Sequence, residues 1–207
     1  MNLSHLFQSY ENLVIRADAA FQKMADAYPE SVTCRRQCSD CCYAVFGLFL
    51  IEAVYLNRHF GRMGRKERRE TIVRGNRADK DLERLKKRMQ TSSNDPQMEG
   101  LSLARERIRC PLLDEGQECI LYPHRPITCR VYGIPTAILG KARVCGRTGF
   151  KKGESYPTFD LDGVYRELYV LSKELLESAG SDDLEQASLL ISVSKAIRSP
   201  LEELVRK

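Results

Sequence analysis

Residues 34–42 read CRRQCSDCC, which sets Cys34, Cys38, Cys41 and Cys42 in a C-x3-C-x2-C-C run. Thiolates this close, on a chain that curls around them, can converge on a soft metal centre. Neighbouring side chains diverge, so Cys41 and Cys42 are not expected on one ion; one of them serves a second centre or packs. The other four cysteines, Cys110, Cys119, Cys129 and Cys145, sit singly in a stretch broken by Pro111, Gly116, Pro123, Pro126, Gly133, Pro135, Gly140 and Gly146. A segment with so little apolar surface needs a cross-link to be ordered, and metal supplies one. The loop from Cys110 to Cys145 is therefore expected to fold back onto residues 34–42 and bring the sulfurs into one small volume.

Helices are expected on either side of this core. Phe7, Tyr10, Val14, Phe21, Ala25 and Tyr28 recur at helical spacing over residues 5–28, ahead of Pro29. Residues 46–62 form a nearly continuous apolar helix, and residues 65–90 a long charged one with a seam of Ala78, Leu82, Leu85 and Met89, broken near Gly75. Residues 92–96 read as a loop and 98–109 as a further helix. Short strands are expected at 120–122 and 130–132. Val164, Leu168, Leu171 and Leu175 mark a helix ended by Gly180. Ser181 is expected to cap the next helix, and Ser199, Pro200 and Glu202 to open a last one with a capping box. The fold class is mainly α: a compact helical domain with an irregular, loop-rich cysteine-cluster segment. A single domain over 1–207 is expected, with the cluster core at 34–145, a charged helical insertion at about 63–95 and C-terminal helices at about 160–206.

Composition agrees with a globular chain. The 207 residues are 43% hydrophobic, with 8 Cys, no Trp and a formal net charge of +5. Mean hydropathy is −0.39. The opening residues lack a basic leader and an unbroken apolar run, and the longest apolar stretch, 43–56, is interrupted by Glu52, so neither a signal peptide nor a membrane span is expected. The expected compartment is the cytoplasm, where thiols stay reduced unless metal or catalysis claims them.

Spacing alone leaves two metals open. Structural zinc usually shows two C-x2-C or Cys/His knuckles, whereas only Cys38 and Cys41 have that spacing and none of His5, His59 or His124 lies in a two-ligand motif. A local cysteine run plus a remote cysteine is closer to a cluster-binding loop. An iron–sulfur cluster, with 4Fe–4S among its forms, is the first cofactor expected and zinc the alternative. Arg35, Arg36, Arg109, Arg130 and Arg147 accompany the thiols and would compensate thiolate charge.

The C-x3-C-x2-C-C run, the apolar helix bearing Glu52 and the stretch CPLLDEGQECILYPHRPITCRVYG together resemble the YkgJ-type family of zinc- or iron-chelating cysteine-cluster proteins, to which the flagellin N-methylases are related. The resemblance covers roughly residues 34–133. It implies chelation by the matching cysteines, with Cys145 matched less securely, and brings Glu52, Arg125 and Arg130 to the same site. Glu52, alone in an apolar helix, is then expected to pair with Arg125 or Arg130.

Two function classes follow. The first is a metal-binding protein whose centre is structural, redox or carrier in role. The alternative is an S-adenosylmethionine-dependent protein lysine N-methyltransferase like the flagellin methylases, although no G-x-G occurs in the chain. A radical S-adenosylmethionine loop shares the cysteine spacing but lacks the aromatic residue before the third cysteine, where Asp40 stands. Residues 58–88 hold thirteen basic against five acidic side chains without interleaved aromatics, the pattern of a solvated helix rather than a nucleic-acid face. The expected partner is a metal ion or cluster, with a protein partner left open and neither nucleic acid nor membrane expected.

Overall fold

The computed structural model describes residues 3–35, 37–92 and 105–205. It is mainly α-helical. Helix α1 (Ser4–Ala27) buries Leu6, Tyr10, Leu13, Ala17 and Met24, the stripe that three- and four-residue steps require. Helix α2 (Leu50–Gly61) is buried on nearly every side, and helix α3 (Arg65–Ser92) along only a narrow seam that includes Thr71, Ala78 and Leu85. Helix α4 (Ile127–Val131) is a short turn carrying Cys129. Strands β1 (Thr136–Ile138) and β2 (Lys141–Arg143) form a hairpin, and β3 (Phe159–Asp160) pairs parallel to β1. Helix α5 (Leu161–Ser178) follows at once, capped by Asp160, and α6 (Val193–Arg198) and α7 (Leu201–Val205) complete the chain.

The main core joins α1, α2, α4 and α5 around Tyr10, Ile51, Ile127 and Leu168. A second cluster around Leu48, Leu56, Leu112 and Ile197 ties α2 and α6 to the cysteine loop. Both cores use α2, so this helix is the post on which the cysteine segments are hung. No helix among the described residues is long and apolar enough to cross a membrane.

Several local expectations give way to tertiary pairing. Residues 46–49 are extended rather than helical, because Leu48 exchanges two backbone hydrogen bonds of 2.8 Å with Ile191. Helix α3 runs unbroken through Gly75, whose bare Cα faces Ser194 of α6; an added Cβ would stand 3.4 Å from that side chain. The loop expected at 92–96 lies, from residue 93 on, outside the described residues. So does most of the helix expected at 98–109, and its described end is not helical: Arg107 pairs with Ala44 in an antiparallel bridge.

The strands expected at 120–122 and 130–132 are absent. Pro126, with φ −60°, instead starts α4, and a 3-10 turn covers Tyr122–His124. The actual hairpin lies further on, where Leu139 (φ 52°) and Gly140 (φ 67°) form a two-residue turn of the left-handed kind. Gly180 does end its helix, at φ 71°. Ser181 caps nothing: the next element is a 3-10 turn over Leu184–Ser188, and the true cap is Ser192, whose hydroxyl accepts from Lys195 N. Ser199 ends α6, and its carbonyl accepts from Asn57.

Candidate metal centre

Two backbone seams bring the distant cysteines to the CRRQCSDCC run. On one side Ile108 N donates to Tyr43 O (3.0 Å) and Cys110 N to Cys42 O (2.7 Å), laying Cys110 against Cys42. The chain then doubles back, with Leu113 bridging Cys119. On the other side Gly149 N donates to Ser31 O (2.8 Å) and Thr33 Oγ1 to Arg147 O (2.9 Å), setting Cys145 beside Cys34. Between these seams α4 supplies Cys129.

The result is a cavity of about 480 Å³ lined by Cys34, Cys38, Cys41, Cys42, Cys119, Cys129 and Cys145. Cys110 stands just behind it, in an adjoining recess that it shares with Cys41, Cys42, Cys119 and Cys129. All eight cysteines are free thiols. The two segments therefore meet as expected from their spacing, and Cys145 joins them. As the side chains stand, no three His, Cys, Asp or Glu among the described residues converge on one point as the ligands of a single ion would.

The thiols differ in how readily they ionise. Cys41 accepts hydrogen bonds from Cys129 and Cys42 and is drawn down to about 3, with Arg125 assisting. Its two donors are correspondingly held protonated. Burial, first among the causes, pushes Cys34 and Cys110 up to about 12 and Cys119 and Cys145 to about 11. A soft cation entering the cavity would displace these protons, since the thiolate is the ligand.

The arginines divide by role. Arg125 lines the cavity with its guanidinium 4.0 Å from the centroid of the Tyr122 ring, and its Nε is buried without an acceptor. That orphaned donor, beside seven thiols, suits a negatively charged thiolate centre. Arg130 also lines the cavity, but it is held there as a brace. It is 5% exposed and spends its donors on Asp18 (2.6 Å), Arg125 O (2.9 Å) and Pro123 O (2.6 Å), fastening α1 to the loop ahead of α4. Arg109 likewise staples its own loop through Leu113 O and Asp114 O. Arg35 lines the cavity, Arg147 donates its backbone N–H to Cys145 Sγ (3.5 Å), and Arg36 lies outside the described residues.

Glu52 is buried, but not against an arginine. Its Oε2 accepts from Phe49 N (3.2 Å) and its Oε1 from Ile127 N (3.0 Å). The carboxylate thus caps its own helix and the first turn of α4, where the dipole favours negative charge. The expected pairing with Arg125 or Arg130 fails because each is already engaged elsewhere: Arg125 over Tyr122, Arg130 with Asp18.

Two residues were not singled out in advance. Asp40, 9% exposed, accepts from Cys145 Sγ (3.2 Å) and pairs with Arg107 (3.3 Å), so it orients that thiol. Its signal was present as the lone acid within CSDCC. Gly133 packs under Cys34 so closely that an added Cβ would lie within covalent range of Sγ. Nothing in the sequence marks this contact, since glycines punctuate the whole loop.

Residues 33–146 match a family model described as "Putative zinc- or iron-chelating domain", CxxCxxCC. The protein belongs to this family. The match covers more than half of the chain and brackets all eight cysteines. The family label has two residues between its first two cysteines, whereas this member has three. Gln37, left-handed at φ 67°, and a hydrogen bond from Cys38 N to Arg35 O (2.9 Å) close the longer turn. No curated protein and no solved structure gives a significant match.

Proposed function

We propose that the protein holds an iron–sulfur cluster in the thiol-lined cavity and that this centre carries its function, as a structural, redox or carrier site. The observation that supports this reading is the ratio of thiols to space. Seven thiols ring about 480 Å³. A structural zinc ion needs only four ligands, drawn in to about 2.3 Å in a closed tetrahedron. A polynuclear cluster uses both the width and the surplus of soft donors.

Cys34, Cys38, Cys41, Cys42, Cys119, Cys129 and Cys145 are the residues that would hold it, with Cys110 behind. When bound, such a cluster supplies one-electron chemistry or a transferable metal–sulfide unit. The chain's own part is to gather the thiols, keep water at the cavity mouth and offset thiolate charge with Arg125. Eight unpaired thiols also favour a reducing compartment such as the cytoplasm. No feature of the described residues adds to the methyltransferase reading.

The test is a serine scan on anaerobically purified protein, because serine keeps the size and removes the soft ligand. Cys41→Ser and Cys129→Ser should each lose most of the iron and acid-labile sulfide at unchanged helix content. Full retention in both would overturn the assignment.

A further inference from the structure

A second concave site lies on another part of the molecule and shares no residue with the thiol cavity. It is a pocket of about 530 Å³ between α2, the first turns of α3 and the α6–α7 corner. Arg65, Arg68, Arg69 and Arg198 line it. Arg198 is neutralised by Asp79 (3.0 Å) and steadied by Asn76 (3.0 Å). The other three make no ion pair or hydrogen bond through their side chains among the described residues, and Arg68 Nε is shielded from solvent without an acceptor. Glu67 and Glu70, the nearest acids on α3, stay outside the lining.

Like charges held together at a concave surface repel one another, and a shielded guanidinium nitrogen without an acceptor is costly. An anion with several oxygens would relieve both, since guanidinium groups match phosphate geometry two bonds at a time. The start of α3 adds the positive end of its dipole on the same side. Beside the arginines the wall is apolar: Ile72, Val73 and Pro200 offer a surface for a flat ring, backed by the buried Phe60. The volume falls within the roughly 300–1,000 Å³ of small-molecule sites.

We propose that this pocket binds a nucleoside diphosphate, its phosphates on Arg65, Arg68 and Arg69 and its base against Ile72, Val73 and Pro200. A basin of this volume with an apolar wall fits a small ligand better than a polynucleotide, which would need a continuous basic track. Further along α3, Asp79, Asp81 and Glu83 interrupt any such track.

Calorimetric titration of the full-length, metal-loaded protein at about 0.15 M salt, where surface charge is screened beyond roughly 8 Å, tests the assignment with ADP, pyrophosphate and adenosine as probes. ADP should bind once per chain, pyrophosphate more weakly, and adenosine at least about 100-fold more weakly than ADP. Arg68→Gln and Arg69→Gln should each weaken ADP by about tenfold or more, with melting temperature and iron content unchanged. If Arg68→Gln lowers the melting temperature, Arg69→Gln carries the test, since its side chain is exposed and makes no contact that folding needs. Absence of ADP binding, or equal binding in the Arg69→Gln variant, would overturn the proposal. Displacement of ADP by single-stranded RNA at comparable concentration would replace it with a nucleic-acid face.

Discussion

Glu52 is 3% exposed, and burial raises its pKa to about 7 even though two backbone N–H groups and the Arg130 charge favour the ionised form. Between the ordinary carboxylate value and about 7 the native state therefore binds more protons than the unfolded chain. The associated stability is present at acid pH and lost as pH rises through 7, by up to about 3 kcal/mol. Glu52→Gln removes this titration. Denaturant curves at pH 5 and pH 8 should show the wild type weakening more than the variant across the interval. Parallel profiles would show that another group titrates there.

Gly133 makes a sharper case at the same scale, because its place against Cys34 leaves no room for a methyl group. Gly133→Ala should rotate or push the Cys34 thiol out of the cavity and lower bound metal, with far-ultraviolet dichroism unchanged. Unaltered metal content would remove Cys34 from the ligand set. Of these residues the sequence displayed the cysteines and the isolated Glu52. It could not show that Glu52 meets backbone donors, because the partner N–H of Ile127 carries no side-chain signature.

Among the elements, α4 is short and depends on its neighbours: five residues, capped by Pro126 and Glu52 and fastened to α1 through Arg130. Arg130→Met would strip donors from two carbonyls, those of Pro123 and Arg125, at a cost of about 3 kcal/mol. Asp18→Asn, at a half-exposed partner, should cost less than about 1 kcal/mol. Urea midpoints distinguish the two, and equal losses would mean that the ion pair, rather than the carbonyl contacts, secures the loop. Long elements such as α1 and α5 were readable because their apolar stripes repeat over many turns. Short ones were not: whether residues 127–131 become helix or strand is decided by a proline, the remote carboxylate of Glu52 and the anchoring of Arg130 to Asp18 on α1. The same holds for 46–49, where Ile191 wins the backbone of Leu48 from a helix that the side chains alone would favour.

At the scale of the whole molecule, residues 34–42 and 110–145 meet at one thiol-lined cavity. The sequence made that legible, because eight cysteines in 207 residues need a reason and two segments held all of them. It left the nature of the centre open, since zinc and iron–sulfur sites draw on the same ligand. It could not show that Arg109 and Arg130 spend donors on loop carbonyls, since backbone acceptors carry no side-chain signature. The cavity's width is a property of the folded chain that no cysteine spacing displays. Iron, zinc and acid-labile sulfide should be quantified per chain, with a visible spectrum, on protein purified without air. Several irons with matching sulfide and a broad charge-transfer band are the predicted result; one zinc per chain without sulfide would contradict it.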